Sequence, residues 1–323
     1  MAKGTRNTGG ILVGAISIVA LAAIVVVVIA VSDGARTGNP FTGRALYTYY
    51  DSSAAKAIKQ ADDAEQLAAF TELAGTPTAV WLTPELHPTA EITQFVGGIG
   101  ADAAAESKLP VFVVYGIPSR DCGNFSAGGA SARDYPLWIS AIGQGIGDRP
   151  AVVILEPDAL ALAPSCQTED ATVGFLRDAI RRLSRGTDTT IYLDGGHSSW
   201  LPPAEMAPLL VAAGVDKVRG FATNVSNFNT TADEREYATA LSALVGGSHF
   251  VIDTSRNGNG TNGEWCNPSG RKIGATPTGA DDSSPQDAIL WIKNPGESDG
   301  DCNGGPPAGQ WWPERAVELV RGG

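Results

Sequence analysis

Residues 152–160 read VVILEPDAL, an apolar, β-branched run that stops at Glu156-Pro157-Asp158. A short run of this kind bounded by proline has the pattern of a strand buried on both faces, as in a parallel sheet. Its two carboxylates then stand at the carboxyl end of the strand, the rim on which barrels and open α/β sheets carry their chemistry. The pattern recurs. VFVVYGIPSRDC (111–122) ends at Asp121, TTIYLDGGHSSW (189–200) at Asp194 and His197, HFVIDTSR (249–256) carries Asp253, and ILWIKNPGESDGD (289–301) leads to Lys293, Glu297 and Asp299. Strands that all deliver acidic groups to one rim point to general acid–base work on a neutral, polar substrate.

Apolar runs at 46–49, 79–82, 111–115, 151–155, 190–193, 219–223, 249–253 and 289–292 are the candidate strands, with helical patterns between most of them. AAKAIKQADDAEQLAAFTELA, from Ala54, is alanine-rich with apolar residues at helical spacing. EDATVGFLRDAIRRLS, from Glu169, places acidic residues first and arginines last, as the helix dipole prefers. Strand–helix repetition predicts an α/β fold, a single (β/α) barrel, with an open doubly wound sheet as the alternative. Two loops rich in Gly, Asn, Ser and Pro, 254–288 and 294–311, interrupt the rhythm, and each holds a cysteine that could staple it to the other. Long loops on that rim shape a binding cleft. GNGTNG (258–263) follows a strand but opens no helical pattern, which argues against a dinucleotide site.

The 323 residues are 43% hydrophobic and 18% charged, enough for one large domain. Lys and Arg number 23 against 35 Asp and Glu, a formal charge of −12, and no basic block exists. Nucleic acid is therefore not an expected partner. Residues 11–31 (ILVGAISIVALAAIVVVVIAV) form an unbroken apolar run behind Lys3 and Arg6. That length spans a bilayer, and the basic flank favours a cytoplasmic segment 1–10. The run is expected to be an uncleaved transmembrane anchor, with a cleavable signal peptide as the alternative. A polar linker, 32–40, comes next, and the rest faces outward. Cys122, Cys166, Cys266 and Cys302 all lie after the apolar run. An exported chain with an even count favours disulfides, in any of three pairings. A four-cysteine zinc site needs close ligand pairs, and none occurs here. The only histidines are His87, His197 and His249, with no HxH or HExxH, which ranks a metal-dependent hydrolase low.

YGIPSRDCGNFSAGG, VVILEPDAL, YLDGGHSSW, GFATNVSNFN, VIDTSRNG…EWCNPSG and WIKNPGESDG, in that order, resemble the motifs of glycoside hydrolase family 6, the inverting cellulases. NPFTGRALYTYYDSSAA, from Asn39, resembles that family's domain start. The resemblance implies a catalytic domain over 41–323 folded as a distorted (β/α) barrel. Seven strands form its TIM-like ring, and the first candidate strand pairs outside it. It implies cleavage of β-1,4-glucan by a monomer that needs no metal or other cofactor.

Inversion requires one protonated carboxyl for the leaving oxygen and a base for water on the opposite face. By resemblance Asp158 is the acid. The residues agree: it stands at a strand end beside Pro157, with Glu156 nearby to disfavour ionisation. A helix N-cap is the competing role for Asp158. Asp121 resembles the aspartate that raises the acid's pKa and organises the water, Tyr115 the tyrosine beside the distorted sugar, and Ser126 the serine that holds the water. A surface pair of Asp121 with Arg120 is the bland alternative. Asp299 resembles the candidate base, with a water chain near Asp121 and Ser126 as the rival route. Lys293 and Glu297 resemble sugar-contacting groups, and Trp81, Trp200 and Trp265 stacking platforms. Asp194, His197 and Asn224 resemble groups lining the same cleft, and Asp253 is expected in its wall. The family's pairing implies Cys122–Cys166 and Cys266–Cys302. The segment between Asp158 and Cys166 and the loop after Asp299 are short, which favours an open cleft and internal cutting over a cellobiohydrolase's tunnel. An inactive cell-surface glucan-binding protein is the alternative from another class.

Overall fold

The computed structural model describes residues 1, 2, 4, 38–280 and 284–322. The apolar run at 11–31 and most of the linker lie outside the described residues. Among the described residues no helix is long and apolar enough to cross a membrane. The chain divides after Gly38, and the strands and helices of the described residues all lie in the unit Asn39–Gly323.

In chain order this unit forms α1 (Ser53–Ala57), α2 (Ala64–Gly75), β1 (Val80–Leu82), α3 (Thr89–Ala105), β2 (Val111–Val114), α4 (Tyr135–Ile146), β3 (Ala151–Leu155), α5 (Ala159–Cys166) and α6 (Glu169–Leu183). It continues with β4 (Thr189–Asp194), α7 (Pro203–Ala213), β5 (Gly220–Thr223), α8 (Thr231–Leu244), β6 (His249–Asp253), β7 (Thr278–Gly279), β8 (Gln286–Leu290) and α9 (Pro313–Arg321). The sheet order is β1-β2-β3-β4-β5-β6-β8-β7. Every neighbouring pair is parallel except β7–β8. Seven parallel strands thus curl into a distorted barrel. Among the described residues no ladder closes it: Ala79 N–H reaches Trp291 O at 3.0 Å, the Trp81 indole reaches Ile292 O at 2.8 Å, and β7 occupies the remaining edge of β8.

Although the strands are buried on both faces, their side chains still alternate. Val113, Ile154, Tyr192 and Val251 fill the interior of the ring. Phe112, Val153, Leu193 and Ile252 face outward under the helices. This parity carries Trp81, Tyr115, Asp194 and Asp253 to the inner end of the strands, where the site lies.

Two expected elements differ. Residues 46–49 form no strand; Leu46 makes only an isolated parallel bridge to Leu109, ahead of β2. The helical pattern from Ala54 breaks between α1 and α2, because Asp63 accepts hydrogen bonds from Glu65 N (2.9 Å) and Gln66 N (2.8 Å) and starts a new helix. The acidic-to-basic pattern at Glu169–Leu183 is a single helix.

Candidate active site

The carboxyl ends of the strands surround a cleft of about 1100 Å³. Asp158 stands in it at the position preceding α5, with φ +68°, and its side chain makes no capping hydrogen bond. The carboxyl is therefore not used by the helix and is left to the cleft. Its backbone N–H donates to Asp194 Oδ1 at 3.1 Å, which fixes the turn that presents it. Burial, then the nearby charges of Asp121 and Asp299, push the Asp158 pKa up from 3.8 to about 7.

Glu156 does not contribute to that shift as the sequence suggested. It is 1% exposed and turned away from the cleft. Its carboxylate accepts from Gly116 N (3.0 Å), Ile117 N (3.0 Å) and Tyr135 OH (2.9 Å). The reason is backbone geometry: Glu156 and Asp158 both have positive φ, +52° and +68°, so strand alternation is lost at the exit. Burial raises the Glu156 pKa to about 7 against the pull of these donors.

Asp121 sits in a 3₁₀ turn after β2 with φ +59°, and its Oδ2 accepts Ser126 N at 2.9 Å. Arg120 does not pair with it. The guanidinium turns back to Tyr115 O (2.8 Å), Ser126 O (2.8 Å) and Glu85 Oε2 (3.2 Å), closing the 115–129 loop. Gly129 seals that loop: with φ +94°, a Cβ there would lie 2.0 Å from Ile117 O. Cys122, one residue after Asp121, is bonded to Cys166 at the end of α5, with Cα atoms 6.3 Å apart. The helix that starts after Asp158 and the turn that carries Asp121 are thus tied together. Tyr115 lies under this pair, edge-on to Trp81 at 5.3 Å, and burial followed by Asp158 and Asp121 pushes its phenol well above its ordinary pKa.

Across the cleft Asp299 is 8% exposed and its lone pairs are committed. Arg256 Nη1 lies 2.9 Å from Oδ1 and 3.0 Å from Oδ2, Asn267 N donates to Oδ2 at 3.1 Å, and Lys293 Nζ is 3.8 Å from Oδ1. The Cys266–Cys302 bond, Cα atoms 6.2 Å apart, joins the two long loops on either side of this cluster. Burial lowers the Lys293 pKa, with Asp299 working the other way. Lys293 also lies over the Trp81 ring at 5.8 Å. Glu297 Oε1 accepts from Ser53 Oγ at 2.7 Å.

Trp81, His197, Trp200, Trp265, Lys293 and Glu297 all line the cleft. Both Ser199 N–H (3.3 Å) and the Asn229 amide (2.9 Å) reach His197 Nδ1. Nδ1 is then the acceptor and Nε2 carries the proton. Burial lowers the His197 pKa to about 4, so the ring is neutral. Trp265 is 52% exposed and lies 5.8 Å, centroid to centroid, from the 46% exposed Phe125, so the loops after β2 and β6 meet in the cleft lining.

Three expected lining residues lie one layer deeper. Asp194 is 2% exposed and accepts from Asp158 N and Gly196 N (3.0 Å). Asn224 is fully buried and bridges Asn229 O (3.2 Å) and Asp253 O (2.9 Å). Asp253, also fully buried, is not in the cleft wall; it accepts Ser255 N, Ile292 N, Ser226 N and Lys293 N at 2.9–3.1 Å. Inward parity stops these groups just below the cleft floor, where the departing loops present N–H groups that need acceptors. Sequence reasoning missed Glu85, which follows β1 as Asp121 follows β2, and Arg256, whose role appears only once Asp299 is beside it. Among the described residues, no three His, Cys, Asp or Glu side chains cluster in a way that could hold a metal ion.

The model of glycosyl hydrolases family 6 matches residues 41–323. Endoglucanase A of Cellulomonas fimi is 46% identical over 265 residues, covering 81% of this chain and 58% of that protein. Endoglucanase 1 of Streptomyces halstedii is 40% identical over 308 residues, 91% of this chain and 94% of that protein. The endoglucanase Cel6 of Mycobacterium tuberculosis, solved with methyl-cellobiosyl-4-deoxy-4-thio-β-D-cellobioside, superimposes with a TM-score of 0.83 at 42% identity, covering 88% of this chain and 99% of that one. With motif order, barrel and match over the whole unit in agreement, the chain belongs to glycosyl hydrolases family 6.

Proposed function

We propose that the protein hydrolyses internal β-1,4-glucosidic bonds of cellulose or a related β-glucan, with inversion at the anomeric carbon. One observation carries this reading: the Asp158 carboxyl is left free of capping bonds in the cleft and is held protonated up to about pH 7. Asp158 gives its proton to the glycosidic oxygen while water attacks the anomeric carbon from the other face. The proton lost by that water passes toward Asp121 and Ser126. Asp299 is the weaker base, because Arg256 and Asn267 occupy its oxygens. Its role is to hold the 254–311 loops and to add negative charge near Asp158. Tyr115 lies beneath the distorted sugar, Trp81, Trp200 and Trp265 stack against others, and Lys293, Glu297 and His197 bind hydroxyls. Asp194 and Asn224 support this wall from behind.

The relatives named endoglucanases support internal cutting. The Phe125–Trp265 contact in the cleft lining is one pair of half-exposed rings, worth only about 0.5–1.5 kcal/mol beyond the area it buries, too weak to hold the loops after β2 and β6 closed against the middle of a chain. Two disulfides fit an exported protein in an oxidising compartment, and the apolar run at 11–31 tethers it to the outer face of the membrane. The test uses carboxymethylcellulose with no added metal. Viscosity falls faster than reducing ends appear, and proton NMR of the first product shows the α-anomer. A β-product, or unchanged hydrolysis by Asp158→Ala, refutes the mechanism. Binding without hydrolysis by the wild type marks an inactive glucan-binding protein.

A further inference from the structure

The cleft wall does not end at Trp81. Six residues beyond it, the His87 ring lies flat on Phe95, with centroids 3.9 Å apart and planes at 18°. Tyr49 meets Phe95 in a T-shaped contact at 6.1 Å and 86°. All three are partly exposed and line the same cleft as Asp158. The group is held rigidly. His87 N–H donates to Thr83 O at 2.8 Å, and His87 O accepts from the indole of the fully buried Trp138 at 2.8 Å. Phe95 and Tyr49 pack against the helical core. Burial lowers the His87 pKa, so the imidazole stays neutral at neutral pH. Asp51, Ser52 and Lys56 line the cleft as well, the first and last ion-paired at 3.0 Å.

Strand order gives this group its place along the cleft. β1, which leads to His87, and β4, which leads to Trp200, flank β2 and β3, which lead to Asp121 and Asp158. A chain lying from Trp200 across the two carboxylates to Trp81 therefore continues toward His87 and Phe95. Flat apolar rings beside hydroxyl-binding groups are what a pyranose requires. Resting on the glucanase reading, we propose that Tyr49, His87 and Phe95 form a ledge for one further glucosyl residue at the β1 end of the cleft, so that the enzyme favours longer chains.

The test compares kcat/KM on cellotetraose and cellohexaose for the wild type, His87→Ala and Phe95→Leu. The second variant keeps an apolar side chain against the helical core and guards against a folding defect. Loss of one stacking contact should lower the hexaose value by about two- to tenfold more than the tetraose value, chiefly through KM. An equal fall on both substrates, or none, in both variants overturns the ledge while wild-type cleavage leaves the glucanase reading standing. A wild type that cleaves neither overturns both.

Discussion

Replacing Asp121 with Asn takes one negative charge from beside Asp158 and leaves the burial of Asp158 intact. Burial is the largest cause of the raised pKa, Asp121 the second and Asp299 the third. Together they lift the carboxyl from 3.8 to about 7. That is roughly three pH units, on the order of 4 kcal/mol in favour of the protonated form. Asp121 is the larger of the two like charges behind the rise, so the Asp158 pKa should fall in Asp121→Asn. In the proposed mechanism Asp158 acts only when protonated, so activity should exist below its pKa and be lost as pH rises through it. The alkaline limb of kcat/KM against pH should accordingly move to lower pH, beyond any drop in the maximum. Initial rates on a soluble cello-oligosaccharide across an acid-to-alkaline pH series read this directly. An alkaline limb that stays in place or moves upward refutes the reasoning, as does a larger displacement in Asp299→Asn than in Asp121→Asn.

The same raised pKa makes Asp158 a cost to folding at high pH. Its folded pKa, about 7, exceeds the unperturbed 3.8, so the stability it allows is complete in acid and lost as pH rises through about 7. Asp158→Asn should raise the unfolding free energy at about pH 8 by on the order of 2 kcal/mol, after discounting for partial exposure, and leave it unchanged at about pH 3; urea titrations at the two pH values measure this. The Cys122–Cys166 bond closes a loop with a sequence separation of 44. Its double Ser variant should lose about 4 kcal/mol by the chain-entropy relation, seen as a lower denaturation midpoint than that of the oxidised wild type. Arg256→Gln leaves Asp299 buried without its main partner and should cost about 3–5 kcal/mol, whereas a midpoint within error of wild type would show that this pair does not brace the loops.

Much of the barrel was legible because parallel strands buried on both faces announce themselves as continuous β-branched runs. Six of the ring strands were expected within a residue or so of where they stand, and β8 begins three residues earlier than its apolar run. What failed locally failed for identifiable reasons. Residues 46–49 have strand composition, but their strand pairing is limited to the single bridge from Leu46 to Leu109. The break before α2 is a capping aspartate, visible in the sequence as Asp63-Ala64-Glu65-Gln66. The carboxylates were harder. Asp194 and Asp253 are the last residues of their strands and hold backbone N–H groups beneath the cleft, whereas Asp121 and Asp158 stand in the turns beyond theirs and reach it.

The sequence by itself determined the alternation of strands and helices, the rim that gathers the acidic groups, and the family, because each is written in local patterns of residues. Only the tertiary structure decided which carboxyl is free. Asp158 is released by a positive-φ turn held through Asp194, Glu156 is spent on the Gly116–Ile117 amides, and Asp299 is spent on Arg256. Protonation depends on what surrounds a group in space, and those neighbours come from strands scattered along the whole chain.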